Sequence, residues 1–205
     1  RGMKVTVGQV MASALLADPI RELEAYPVTD GACAMVLASE EKAKKWCSQP
    51  VWLTGLASRL DSFYLGDRDL AETASLTLAS KKAYQMAGIS NPRKEIDLVE
   101  LSEFYAYQEL LWLEGMGFCR RGEAGKMIDR GITELDGELP VNPSGGVLSG
   151  NPVTVAGAVR VAEGALQLMG RAGDHQVEGA RRALAQGHCG PCGQGQCVII
   201  LEKGV

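Results

Sequence analysis

Short unbroken apolar runs recur along this chain, separated by stretches of helical period. That alternation restricts it to the α/β class more than any other feature. The runs are 31–38 (GACAMVLA), 51–56 (VWLTGL), 97–101 (DLVEL) and 197–201 (CVIIL). Runs of this kind suit strands buried on both faces. Between them, Ser39 caps a short helix with acids in its first turn. A helix is predicted over 70–86, with Leu76, Ala79, Ala83 and Met86 on its buried face and a stop at Gly88 and Pro92. Further helices are expected over 103–116, 153–169 and, as an amphipathic one, 176–185. The Gly-rich, charged stretch 122–140 reads as an exposed excursion, and the best boundary falls near Gln49 and Pro50.

Composition narrows the function. Of 205 residues, 46% are hydrophobic and 22% charged, which is globular and argues against disorder. A chain this long buries roughly 70% of its unfolded surface, so it needs no metal or disulfide to fold. A net charge of -4 argues against a nucleic-acid partner held through phosphates. No apolar run reaches the roughly 18 residues of a spanning helix, and no signal-peptide pattern stands at the start, so no membrane is expected and the cytoplasm is the default compartment. The first methionine is Met3, which suggests a processed or incomplete piece.

Three segments carry chemistry. The tail reads GHCGPCGQGQC over 187–197. Cys189 and Cys192 have redox-pair spacing, but a strand follows rather than the helix that lowers a thiol pKa. His188, Cys189, Cys192 and Cys197 offer zinc ligands without the paired knuckles of a structural site. A glycine-rich turn presenting reactive groups, with Gly190 freeing the backbone, and a plain turn with incidental thiols both stay open. The loop NPSGGVLSGN over 142–151 places Gly145, Gly146 and Asn151 ahead of a helix, where an Asn caps or donates to an oxyanion. The segment LVELSEFYAYQE puts Ser102, Glu103, Tyr105 and Tyr107 at a strand-to-helix junction, where α/β folds bind ligands. Either tyrosine also reads as simple packing. His175 lies in a polar stretch and reads as a surface residue.

Taken together and in this order, these segments resemble the C-terminal half of a thiolase. The resemblance starts at ADPIRELEAYPVTDGACAMVLASEEKAKK (17–45) and runs through GFCRRGEAGKMIDRG and LPVNPSGGVLSGNPVTVAGAVRVAEGALQLMGRAG to the tail. It is similar to the bacterial and archaeal branch related to sterol-carrier-protein thiolases, and allows a benzoylsuccinyl-CoA thiolase type. It implies a thiolase fold, layered αβαβα, built from two βαβαβαββ halves. Residues 1–48 would end the first half, and 49–205 would be the second.

The family's Asn-x-x-Gly-Gly loop matches Asn142, Gly145 and Gly146. Its Gly-His-Pro triplet falls on Gly150, Asn151 and Pro152, so the histidine is replaced. Its Asn-Glu-Ala-Phe-like segment falls on 102–105 and keeps only Glu103. Its Cys-x-Gly cysteine falls on Cys189, with Pro191 in place of the glycine. The resemblance implies coenzyme A or acyl-CoA as substrate, no bound cofactor or metal, a homodimer and an OB-fold/zinc-ribbon partner. The nucleophilic Cys would lie outside this chain.

The expected function is carbon–carbon cleavage or formation in a 3-oxoacyl-CoA. In it Asn151 and Tyr105 would stabilise an enolate, while His188 and Cys189 would move protons. Ser102, Glu103, Gly145, Gly146, Gly190 and Cys192 would bind substrate. A thiolase-fold retro-aldolase and a non-catalytic subunit are the alternatives.

Overall fold

The computed structural model describes residues 3–204. The N-terminal part holds α1 (Val7–Ala12), a hairpin of β1 (Leu15–Ala17) with β2 (Ile20–Arg21), and α2 (Glu40–Trp46). The main body follows as β3 (Val51–Leu60), α3 (Ala74–Ala87), α4 (Pro92–Glu95), β4 (Leu98–Glu100) and α5 (Ala106–Gly115). It continues as α6 (Ala124–Asp129), α7 (Gly146–Ser149), α8 (Ala156–Leu168), β5 (Arg182–Cys189) and β6 (Gly195–Lys203). One four-stranded sheet runs in the order β3-β6-β5-β4. The β3/β6 and β6/β5 pairs are antiparallel, and β5/β4 is parallel.

Side chains alternate across the sheet and so divide its core in two. Val198 and Ile200 of β6, Leu184 of β5 and Val99 of β4 pack under α3 and α5. Leu201, Ala183 and Leu98 point the other way, under Leu168 of α8. The sheet is therefore sandwiched between helices, which is why its central strand β6 reads as an unbroken apolar run. On α3, Leu76, Ala79 and Ala83 are fully buried. Burying a leucine of this kind contributes about 1.5–3 kcal/mol. The helix stops at Gly88, whose positive φ turns the chain so that the Ile89 N–H donates to the Tyr84 carbonyl at 2.9 Å. At Gly55 a Cβ would stand 2.3 Å from the Ala83 carbonyl oxygen, so only glycine lets α3 lie this close to β3.

Four expectations change. Residues 31–38 form no strand, and Val36 there is 97% exposed. A strand needs a ladder, and no other strand among the described residues lies beside this run. It passes instead along α8, where the Cys33 thiol meets the Ala158 carbonyl at 3.7 Å. Residues 176–185 are not a helix but a turn leading into β5. In β5, Ala183, Leu184, Ala185 and Gln186 are all buried, because the strand lies between β4 and β6 with helices on both faces. The helix-favouring Ala, Leu and Gln are overridden by that tertiary setting. Met86 is 54% exposed, at the edge of the apolar stripe rather than within it. The excursion 122–140 is not all surface: Ala124 and Leu139 are fully buried and Met127 packs beside them. His175 is partly exposed, with its ring 3.3 Å from Glu163. No helix among the described residues is long and apolar enough to cross a membrane.

Candidate functional site

The site is built at one end of the sheet, where β4 ends, β5 turns into β6, and the loop before α8 crosses over. Its base is a buried ion pair. Glu100, at the end of β4, is fully buried and accepts from Arg160 of α8 at 2.6 Å. The Ser144 N–H and Oγ–H donate to the same carboxylate at 3.1 and 2.7 Å. Burial pushes the Glu100 carboxyl up; Arg160 and Ser144 pull it back toward the ionised form. This arrangement fixes the 142–151 loop to the sheet.

Asn142 and Glu103 complete the fixing. The Asn142 backbone is left-handed, with φ at 49°. That geometry turns its Oδ1 to accept from the Leu101 N–H at 2.7 Å and its Nδ2 to donate to Glu103 at 2.7 Å. The Leu148 N–H also donates to Glu103, at 3.3 Å. Gly146 must be a glycine, because its φ is +61° and a Cβ would lie 2.2 Å from Glu103 Oε1. Burial pushes the Glu103 carboxyl up to about 8, against the pull of its hydrogen bonds. Gly145 supplies a second left-handed turn, φ 90°, in front of α7.

Asn151 lies beyond this loop, wholly buried. It does not cap α8, which begins five residues later with Val155 as its capping residue. Neither amide atom of its side chain has a hydrogen-bond partner among the described residues. Leaving a buried amide unpaired costs about 1–3 kcal/mol, so this group is poised for a partner the chain does not supply. Its backbone is gripped by an extended strap. Val28 bridges to Asn151, and the Thr29 N–H donates to its carbonyl at 3.2 Å. Three residues back the same strap bridges Ala25 to Tyr105, while the Tyr26 N–H donates to the Phe104 carbonyl at 2.8 Å. An extended span of three residues is about 10 Å, which bounds the separation of the Tyr105 and Asn151 backbones along the strap. Tyr105 packs edge-on to Tyr26 and stacks on Tyr107, both with ring centroids at 5.9 Å.

The tail turn is held from inside by a buried polar chain. The Ser102 N–H donates to Gln186 Oε1 at 2.8 Å, Gln186 Nε2 donates to Gln196 Oε1 at 2.7 Å, and Gln196 Nε2 donates to the Gly193 carbonyl at 3.0 Å. In β5 the pleat sends His188 and Cys189 to opposite faces. His188 lies with Phe104 (ring centroids 4.3 Å) and Trp112 (5.5 Å). Burial there pushes its imidazole down to about 4, a backbone hydrogen bond with Ser102 working the other way. The ring is therefore neutral at pH 7, and its Nδ1 is buried without a hydrogen-bond partner among the described residues. Cys189 is exposed and pairs in register with Gly195. Cys192 is exposed in the turn, with φ at 50°. Cys197 is half-buried, and burial first, then the nearby Cys189, pushes its thiol up.

A cleft of about 640 Å³ opens here. His188, Cys189 and Gly190 line it, with Phe104 on one wall and Val153, Thr154, Gly157 and Ala158 at the start of α8 on another. Asn151, Ser102 and Glu103 are buried and, like Tyr105 and Cys192, stand outside its lining. The sequence reading passed over Gln186, Gln196, Arg160 and Arg68. Of these only the Glu100–Arg160 pair left a trace, as a charge inside the apolar run 97–101. The glutamines and Arg68 carry no sequence signal of their role.

A sheet between helices, with glycine-rich turns gathered at one end of its strands, is the geometry the resemblance implied. The family description "Thiolase C-terminal domain-like" matches residues 58–203, and the chain belongs to the thiolase family. It is 37% identical over 98% of its length to the Acetyl-CoA acetyltransferase of Methanothermobacter thermautotrophicus, of which it covers 52%. It is 29% identical over 85% of its length to the Benzoylsuccinyl-CoA thiolase subunit BbsB of Thauera aromatica, of which it covers 46%. Among solved structures, one described as the Ltp2-ChsH2(DUF35) aldolase matches with a TM-score of 0.86 at 25% identity, covering 97% of this chain and 51% of that one. The chain spans about half the length of the curated relatives it matches.

Proposed function

We propose that this chain is the second half of a cytoplasmic, CoA-dependent acyltransferase that makes or breaks a carbon–carbon bond in a 3-oxoacyl-CoA, with residues 1–48 closing the first half. The observation that carries the reading is the Asn151 side chain, fully buried with both amide atoms unpaired. A preorganised, desolvated amide of this kind stabilises negative charge developing on a thioester oxygen.

In the direction of bond formation, the Cys189 thiolate removes a proton from the α-carbon of an acyl-CoA. The electron pair moves onto the thioester oxygen, which accepts a hydrogen bond from Asn151 Nδ2, with Tyr105 donating from the far side of the strap. The enolate carbon then attacks an acyl group carried as a thioester on a cysteine of the first half, and that thiolate leaves. His188 stays neutral and fixes the end of β5 that presents Cys189. Cleavage is the reverse, and the acyl group left on that cysteine then passes to the thiol of a free CoA, so one CoA is consumed and the cysteine is released. Two relatives whose names contain acyl-CoA substrates support the class of substrate.

The structure described as an aldolase favours a second reading, in which the same enolate forms by retro-aldol cleavage with no CoA consumed. That description names two proteins, and BbsB is named as a subunit. Both support assembly with a partner protein, which we take to be a small OB-fold/zinc-ribbon one around a homodimer. The test is turnover by the full-length protein with its partner, with free CoA counted against product. One CoA consumed per bond cleaved supports the acyltransferase, and none supports the aldolase. Asn151→Ala is expected to lower kcat by about 10²–10³-fold in either case; unchanged turnover removes Asn151 from the reaction.

A further inference from the structure

The tail turn is held from outside as well as from inside, by a residue of the β3–α3 loop. The Arg68 side chain is only 6% exposed, although its backbone lies in an exposed loop. Its guanidinium spans two carbonyls of the turn: Nη1 donates to Pro191 at 3.1 Å and Nη2 to Cys192 at 2.9 Å. Nε lies 3.8 Å from the Asp61 carboxylate, an ion-pair distance rather than a hydrogen bond. The same loop adds two stitches. The Asp61 N–H donates to the Gln194 carbonyl at 2.9 Å, and Gln194 Nε2 donates to the Ser62 carbonyl at 3.4 Å.

What the fork grips is a backbone that would not hold itself. Gly190, Cys192 and Gly193 all have positive φ, and Cys192 is a residue with a Cβ in that region. Such a conformation persists only where its surroundings over-determine it, and it gathers at functional sites. Here the surroundings are the Gln196 amide and the Trp112 ring beneath Gly193, and the Arg68 fork above Pro191 and Cys192. A planar fork with two parallel donors suits two adjacent carbonyls; an ammonium on a flexible stem reaches one at a time.

We propose that Arg68 is a positioning residue: it holds the Cys189–Gly193 turn in the conformation that presents Cys189 to the cleft. The proposal rests on the reading of Cys189 as a group that meets substrate. The fork's hydrogen bonds go to backbone carbonyls of the turn, so its effect is expected to travel through the turn backbone.

The test uses the full-length protein with its partner and the variants Arg68→Met, Arg68→Lys and Asp61→Asn. Two measurements are made on each: amide hydrogen exchange of peptides covering 190–194, referenced to β6, and kcat and KM. Arg68→Met is expected to speed exchange in the turn by about tenfold or more while β6 is unchanged, because only local opening is released. It is also expected to lower kcat by about tenfold with KM within about twofold, the pattern of lost transition-state geometry. Arg68→Lys should fall between Arg68→Met and wild type, and Asp61→Asn, which keeps both carbonyl bonds, should fall closest to wild type. Unchanged exchange in Arg68→Met overturns the clamp. Faster exchange with unchanged kcat overturns the positioning role and leaves the rest of the acyltransferase reading to Asn151→Ala. Loss of β6 protection in Arg68→Met moves the decision to Arg68→Lys, where wild-type exchange and wild-type kcat together overturn the proposal.

Discussion

Arg160 reaches from α8 through the protein interior to within 2.6 Å of Glu100 at the end of β4, and neither side chain has appreciable contact with solvent. The pair ties the helix to the strand and, through Ser144, ties the glycine-rich loop to both. Removing one partner leaves a buried charge without compensation, which costs about 3–5 kcal/mol. Arg160→Met is expected to lose that much in denaturant unfolding. Pairing it with Glu100→Gln should recover part of the loss, giving a coupling energy of about 2 kcal/mol in the double-mutant cycle. Additive effects would mean the two side chains do not act as a pair.

Two buried groups set opposing slopes of stability against pH. Glu103, raised to about 8, keeps a proton in the folded protein that the unfolded chain releases above its ordinary value of 4.5. The folded state then binds more protons, so this group's contribution falls as pH rises through that window. His188, lowered to about 4, stays neutral where the unfolded chain is charged below 6.5, so its contribution falls as pH drops from 6.5 to 4. Between about pH 4.5 and 6.5 the two oppose each other; above 6.5 the carboxyl slope remains, with Glu109, raised to about 7 by burial, adding to it at first. The melting temperature is expected to fall by a few degrees from pH 6.5 to 8. The slope should flatten in Glu103→Gln. An equally steep slope in that variant would assign the effect elsewhere.

Two glycines make a matched comparison. Gly146→Ala forces a methyl to 2.2 Å from Glu103 Oε1 at a φ of +61°, so the loop must move off its carboxylate. A loss of about 2–4 kcal/mol is expected, the sum of left-handed strain and a displaced buried hydrogen bond. Gly125, within α6, has open space where a Cβ would go. Gly125→Ala is expected to gain about 0.5–1 kcal/mol from the helix preference of alanine. Thermal melts of both variants check the contrast.

Asn151 separates stability from activity. Because its side-chain amide makes no hydrogen bond among the described residues, Asn151→Leu removes a desolvation cost and keeps the volume. Stability is expected to hold or rise by about 1 kcal/mol, while turnover falls by about 10²-fold or more. A destabilised Asn151→Leu would show that the amide serves the fold.

Much of the fold could be read from residue order. The stop at Gly88, the buried face of α3 at Leu76, Ala79 and Ala83, and the apolar run that became β6 all rest on local chemistry. What failed depended on neighbours. Residues 31–38 have a strand's composition but no ladder to join, and β5 has a helix former's composition but lies in the middle of a sheet. The site divides the same way. The glycines and Asn142 announce a special backbone by their type. Arg68 meets Pro191 and Cys192 across 123 and 124 residues of sequence, and Ser102 meets Gln186 across 84, so their roles exist only once the chain has folded.

At the junction of α8 with β5, Gly157 and Gly187 face each other with bare backbones. A Cβ on Gly187 would sit 3.2 Å from the Gly157 Cα, and one on Gly157 would sit 3.6 Å from the Gly187 Cα. Both residues line the cleft, so this contact works as its width gauge. A methyl at 157 fits within ordinary contact, whereas one at 187 must lift α8 by a few tenths of an ångström. The opening is thus expected to change by single methyl steps at these two positions. The bare backbone contact between 157 and 187 thus sets how much room the cleft leaves for whatever it binds.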